Sequence, residues 1–473
     1  DPLRSRPRET MDATRRGPGA AAEQPVKSRG LLLVIALGTI LAPLNSTMIA
    51  VALPGIATDL GIGVGESTWL VVSYLIVMAV MQPIAGTLGD RYGRRQLFLG
   101  ALVGFLVTSV AAAAATSFPV LVILRLAQAT CGALEIPNGA ALVREYVPEA
   151  RRGAAYGLIG AAVGVAAGFG PPLGGGLVAL GGWRMIFAVN VPVVALAILV
   201  GVLALPAHRG AARPAGRAFD FLGAVLLAGW LTTFALGASA KGGTVLGVPV
   251  GGYGLATVVL LVAFIGRELR VAAPVVQLAL FREPAFAGAA AVIALGNLAM
   301  YSTLLTVPQF LTLVDHRGSA EVGIVLAALS VPLAALAPFG GHWADRWGRR
   351  PIVIVGCALT FAAFLPLLWL GPGWSSLLLA APLAVAGCGL ALQTPAVQAL
   401  AIEAAPLKQA GMASGVFSTS RYLGSITGTA LLAAFLGGGA VPSAAGFSAV
   451  FLIVVLAAFG ALAAGIALRE ARP

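Results

Sequence analysis

The sequence predicts an all-α polytopic membrane protein of fourteen transmembrane spans. Two pseudo-symmetric halves of six helices each are joined by an inserted pair. Three observations predict it. The 473 residues are 59% hydrophobic and only 10% charged, with a mean hydropathy of +0.95, outside the range of soluble domains. Apolar runs of about 20 residues, the length that crosses a bilayer, recur along the whole chain. One ten-residue motif occurs twice, at matching places in the two halves.

Residues 1–28 are polar and rich in Pro, Gly and Arg, and read as a disordered basic tail with Met11 as a candidate start. The first apolar run is too long for the core of a signal peptide and lacks a clear cleavage site, so it reads as a helix that stays. Successive spans fall at 30–54, 67–88, 96–116, 119–143, 153–178 and 184–205, then 220–240 and 248–267. Six more follow at 285–311, 319–341, 351–371, 376–402, 411–436 and 444–468. The N-terminal half is thus 29–206, the linker with two extra helices 207–284, the C-terminal half 285–468 and the tail 469–473.

The net charge of +12 comes mostly from arginines in short loops. One face collects Arg91, Arg94, Arg95, Arg144, Arg151, Arg152, Arg346, Arg349 and Arg350, with both tails. The other carries Arg184, Lys241 and Arg317. This asymmetry predicts a multi-pass protein of the cell membrane with both termini cytoplasmic, and it accounts for the basic balance without nucleic acid. Cys131, Cys357 and Cys388 all lie in apolar runs and read as core residues; no metal site is expected.

The repeated motif is GTLGDRYGRR at 86–95 and GHWADRWGRR at 341–350, so Asp90 maps on Asp345, 255 residues on. Internal repeats of this kind build transporters around a site at mid-membrane. With RLAQATCGA (125–133), GVAAGFGPPLGG (164–175), WRMIFAVNVP (183–192) and STSRYLGSITG (418–428), the chain resembles the major facilitator superfamily over about residues 30–468. Within it, the chain is most similar to the fourteen-span drug:proton antiporters.

The resemblance implies a cytoplasmic gate at Asp90, Arg91, Gly93, Arg94, Asp345, Arg346 and Arg349. Asp90 should latch the start of span 13 near Gly411–Ala413, and Asp345 the start of span 5 near Arg152–Ala154. It also implies an antiporter motif at Gly168, Gly170, Pro171, Pro172, Gly174 and Gly175, where glycines allow close helix packing and two prolines break the hydrogen-bond ladder. Packing alone would explain those residues; export rather than uptake is what the family adds. Arg125, about 9 Å inside span 4 at roughly 1.5 Å per residue, is linked in the family to proton transfer. A structural bond to carbonyls of span 1 is the other reading. Arg421 resembles the family's R-x-L-G turn and reads as an interhelical bonder or a counter-charge for substrate.

Proton coupling needs an acid within the membrane. Every Asp and Glu falls near a membrane face or in a tail except Glu135, in the middle of span 4. The family's span 1 carries an aspartate where this chain has Asn45, which cannot titrate but can donate and accept hydrogen bonds. Glu135 shares a helix face with Gln128, and is expected to face the same space as Asn45, either as the proton-coupling group with Arg125 or as a static hydrogen-bonding residue. Met48, Tyr74, Met78, Asn297, Tyr301 and Gln393 are further expected cavity residues; each reads equally as a packing or bonding residue.

The leading expectation is a proton-linked exporter of amphipathic compounds, with lipophilic cations suited to a single deep acid. The alternative is an exporter of a lipid, amino acid or other metabolite without proton coupling. The spans hold no histidine, no zinc motif and no phosphate loop, so an enzyme is not expected. The expected partners are membrane lipids and a small amphipathic substrate, with no cofactor beyond the proton, and the chain is expected to act as a monomer.

Overall fold

The computed structural model describes residues 28–148, 162, 166, 169–206, 220–239, 244–245, 248–271, 274–405, 410–436 and 444–468. Eleven helices among them are long and apolar enough to cross a membrane. In chain order the helices are α1 (Ser28–Leu60), α2 (Val64–Ser67), α3 (Trp69–Tyr92), α4 (Arg94–Ala113) and α5 (Phe118–Tyr146). Then come α6 (169–181), α7 (Met185–Ala188), α8 (Asn190–Ala204), α9 (Phe221–Ser239) and α10 (Val250–Glu268). The last six are α11 (Pro284–Leu313), α12 (Ser319–Trp347), α13 (Arg349–Phe364), α14 (Ser376–Glu403), α15 (Ala410–Leu436) and α16 (Ala444–Ala467). The expected spans map onto α1, α3 to α6, α7 with α8, and α9 to α16. One departure from all-α is a two-residue antiparallel hairpin, β1 (Thr244–Val245) and β2 (Val248–Pro249), between α9 and α10.

The two halves pack alike. In the first, α1 and α4 both pack on α5 and α8, and α3 packs on α5. In the second, α11 and α13 both pack on α14 and α16, and α12 packs on α14. The halves meet where α3 packs on α15 and where α1 packs on α11 and α12. The inserted helix α9 lies against both α3 and α15, on the seam, with α10 against α9. Leu255, Val258, Val259 and Val262 form an exposed apolar ridge on α10, as a lipid-facing helix requires.

The repeated motif organises one end of each half. Gly93 and Gly348 turn the chain with φ of 92° and 90°, a region glycine enters without steric cost. The next two arginines of each copy then do the same work in both halves. Arg94 donates to the Ala141 carbonyl at 3.3 Å and lies 4.0 Å from Glu145; Arg349 pairs with Glu403. Arg95 donates to the Leu205 carbonyl at 3.0 Å, and Arg350 to the Ile466 carbonyl at 2.9 Å. The motif arginines therefore tie helices together within a half. Asp345 is largely exposed and lies 3.8 Å from Arg349. The side chains of Asp90 and Arg91 and the expected partner segment Arg152–Ala154 lie outside the described residues.

A second clasp closes the same end of the inserted pair. Asp220 accepts the Gly223 N–H at 2.9 Å and pairs with Arg267 at 2.8 Å. Glu268 accepts the Val275 and Val276 N–H groups at 3.3 and 3.0 Å, fixing the chain that leads into α11.

Four consecutive residues of α1 reach three different helices. Asn45 and Asn190 of α8 exchange two amide hydrogen bonds, 2.9 and 3.0 Å long. Ser46 accepts the Tyr301 hydroxyl of α11 at 3.4 Å, across the seam. Thr47 and Met48 lie under α6, where a Cβ on Gly170 would run into Thr47, and one on Gly174 would lie 2.9 Å from the Met48 carbonyl oxygen. Gly175 faces the other half: a Cβ there would lie 2.7 Å from the Gly323 Cα of α12. Pro171 and Pro172 lie within α6, and Gly164 and Gly168 lie outside the described residues.

Two predictions follow from this packing. A Cβ on Gly428 of α15 would lie 2.6 Å from the Leu298 carbonyl oxygen of α11. Gly428→Ala is expected to cost about 1–3 kcal/mol through overpacking, read as a lower unfolding temperature in detergent. For the amide pair, a double-mutant cycle of Asn45→Ala and Asn190→Ala should give a coupling of roughly 1 kcal/mol. Additive effects would mean that the two amides do not stabilise each other.

Candidate functional site

Polar groups at mid-depth gather in two places, one inside the first half and one at the seam. The first is carried by α5. Arg125 is fully buried and sits over the Tyr74 ring, 4.2 Å from its centroid. It donates to Gln128 Oε1 at 2.6 Å and to the Leu70 carbonyl at 3.4 Å, and Gln128 passes the chain on to Ser109 of α4 at 2.9 Å. The carbonyl it uses belongs to α3, not to span 1 as expected. Its Nη2 has no hydrogen-bond partner. Cation–π contact with Tyr74 and a second ring, Phe187 at 5.9 Å, takes the place of a counter-ion.

Glu135 lies ten residues further along α5, roughly 15 Å down the axis, so it does not pair with Arg125. It is fully buried, and neither carboxyl oxygen has a hydrogen-bond partner. Its direction follows from its helix neighbours. A Cβ on Gly139 would meet Ile35 and Thr39 of α1 and Phe98 of α4; Cys131 reaches Gly104 of α4, and Gln128 bonds α4. Glu135 therefore points between α1 and α4, inside the first half. Asn45 is turned away from it, toward α8, so the shared space expected for these two residues does not form. Gln309 of α11 is likewise fully buried with both amide atoms unpaired.

The second place is the seam. Ala129 and Ala133 on the other face of α5 pack with Ala42, Tyr74 and Met78, and Ile136 and Tyr422 of α15 close over them. Tyr74 donates to the Ala42 carbonyl at 3.3 Å. Gln82 of α3 donates to the Tyr422 hydroxyl at 2.9 Å, a direct bond between the halves. Arg421, half-buried, lies 5.2 Å from the Tyr422 ring and within electrostatic range of Tyr301. Of the residues expected at a cavity, Tyr74 and Met78 thus lie in one cluster that Tyr422 closes, and Arg421 lies near Tyr422 and Tyr301.

Other expected residues go elsewhere. Met48 is buried beneath α6. Asn297 donates to its own helix at the Ile293 carbonyl, 2.9 Å away. Gln393 accepts from the Cys357 thiol at 2.7 Å, within the second half. Gln82, Tyr422, Ser46 and Asn190 also join helices here and are not among the residues the sequence marks. Tyr422 and Asn190 sit in motifs quoted above, but nothing in a single sequence says which neighbour such a residue meets.

One correspondence emerges only with both halves in view. Ala133-Leu134-Glu135-Ile136-Pro137 on α5 matches Ala391-Leu392-Gln393-Thr394-Pro395 on α14. Glu135 and Gln393 are symmetry mates, each pointing into its own half. One is an acid without partners; the other is an amide paired with a thiol.

Comparison with known proteins agrees with this architecture. The profile of the Major Facilitator Superfamily matches residues 35–429. The chain is 34% identical to the uncharacterized transporter YvkA of Bacillus subtilis, over 86% of this chain and 90% of that one. It is 32% identical to the tetracenomycin C resistance and export protein of Streptomyces glaucescens, over 85% of this chain and 74% of that one. With the multidrug resistance protein Stp of Mycobacterium tuberculosis it shares 33% identity over 86% and 75% of the two chains. In fold it is similar to the nucleoside transporter NupG, with a TM-score of 0.63 at 14% identity, covering 93% of this chain and 99% of that one. The chain belongs to the Major Facilitator Superfamily and is a membrane transporter rather than an enzyme.

Proposed function

We propose that this transporter exports amphipathic small molecules from the cell by alternating access, in exchange for protons carried by Glu135. The observation that carries the reading is the Glu135 carboxyl, fully buried at mid-depth with neither oxygen bonded. A carboxylate without a partner is costly there. Its ionised form needs water or a new partner, and only a change of shape can bring one. That requirement is what ties proton release to a conformational step. Relatives named for multidrug resistance and for tetracenomycin C resistance and export support the cargo class and the direction. The close approach of Gly175 and Gly323, with no side chain between them, supports an end of the transporter that is shut. The arginine-rich end faces the cytoplasm in this reading, and the chain works as a monomer.

A second reading, export of a metabolite without protons, is favoured by Asn45. It stands where related transporters carry a titratable residue, and its amide is committed to Asn190.

Reconstitution in liposomes separates the two. Under an imposed pH gradient, Glu135→Gln is expected to abolish gradient-driven accumulation of a transported dye while leaving dye-for-dye exchange intact. Gradient-driven accumulation that survives in the Glu135→Gln protein would remove Glu135 from the mechanism and favour the second reading.

A further inference from the structure

We infer that the site between the halves takes aromatic amphipathic anions, with Arg421 as their counter-charge. The inference deepens the export reading and rests on it.

The argument starts from where charges lie. Arg421 is about 11 residues into α15, roughly 16 Å from the start of the helix. Its direction is fixed by its neighbours on the same helix. Gly424 and Gly428 lie on α11, against Ala294 and Leu298. Tyr422 turns to α3, where it meets Gln82 and the Tyr74 cluster. Arg421 falls in the angle between these two contacts, toward the seam, and remains half-buried.

No carboxylate answers it. Among the described residues Arg421 has no ion pair, and its ring contact is with its own neighbour Tyr422. The single mid-membrane acid, Glu135, is turned toward α1 and α4; it lies within electrostatic range of Tyr74 but makes no ion pair with Arg421. The groups that face the seam from the surrounding helices are neutral: Tyr74 and Gln82 from α3, Ile136 from α5, Tyr301 from α11 and Tyr422 from α15.

A guanidinium inside a membrane protein needs an anionic partner or strong acceptors. Among the described residues no anion meets it; the rings of Tyr422 and Tyr301 lie near it, and Tyr422 in turn meets Gln82 and the cluster of Tyr74, Met78 and Met81 on α3. Rings and thioethers suit a flat apolar body. The guanidinium fork suits a carboxylate, sulfonate or phenolate. A lipophilic cation, which the lone acid suggested from sequence, would instead be placed against Arg421 with no negative charge beside it.

The test uses the full chain in liposomes with two dyes of one xanthene frame: anionic fluorescein and cationic tetramethylrhodamine ethyl ester. The wild-type protein is expected to move fluorescein faster. Arg421→Gln should lower fluorescein flux roughly tenfold, the scale of one lost charge-assisted bond, without lowering flux of the cation. Arg421→Lys should restore much of the loss. Unchanged fluorescein flux in Arg421→Gln, or a wild-type preference for the cation, overturns the anion site and leaves the export reading standing. Transport of neither dye by folded wild-type protein overturns both. The wild-type preference needs no variant, so a failure of Arg421→Gln to fold does not blunt the test.

Discussion

In a bilayer a polar group has no water to fall back on, and every such group inside the protein must find its partner there. The structure is arranged around this constraint. Hydroxyls of Thr39, Ser46, Thr47 and Thr303 return to carbonyls of their own helices. Asn45 and Asn190 satisfy each other, and the motif arginines cap carbonyls that end α8 and α16. Because lipid tails are as apolar as the helices, packing itself depends on close fit. Glycines on α6, α12 and α15 bring backbones into contact. Against this pairing, the groups left without partners among the described residues carry information: Glu135 with neither oxygen bonded, Gln309 with both amide atoms free, and Arg125 and Arg421 with no opposite charge.

Symmetry explains how one constraint serves two halves. Packing order, motif turns and arginine ties recur, so the repeat is preserved where geometry is at stake. It diverges where chemistry is at stake. Arg125 stands where the second half has Leu383, and Glu135 where it has Gln393. The second half thus keeps the sequence frame of this site without its acid, and Arg125 and Glu135 of the first half have no charged counterparts. An asymmetric function has been placed on a symmetric frame.

Much of this was legible in the chain. Apolar runs of the right length separated by arginine-bearing loops marked the spans, with ends up to about seven residues from those of the described helices and the start of the fifth outside the described residues, and the 86–95 and 341–350 motifs exposed the repeat. The acid count isolated Glu135 without a structure. Side-chain direction was not legible. In a soluble protein the polar face of a helix marks the outside, but here lipid-facing and core-facing sides are both apolar, and the usual marker is lost. The sequence therefore points Asn45 into the same space as Glu135, whereas its partner lies 145 residues away on α8. For Gln393 the sequence leaves cavity lining and interhelical bonding equally open, and the structure shows its bond to Cys357. Tyr422, next to the arginine that drew attention, was passed over because an aromatic in an apolar run gives no sign of its neighbours.

The hydrogen bond between Ser46 and Tyr301 has a geometric meaning of its own. The two residues are 255 positions apart, the same interval that separates the motif aspartates. Residues related by the repeat in this way can touch only close to the axis that relates the halves. When two bodies rock about mid-depth, points at the centre travel least and points at the ends travel most. The Ser46–Tyr301 contact is thus placed as a pivot that can persist through the cycle. In the alternating access proposed above, the Gly175–Gly323 contact near the end of the bundle is one that parts, and neither glycine has a side chain to withdraw first.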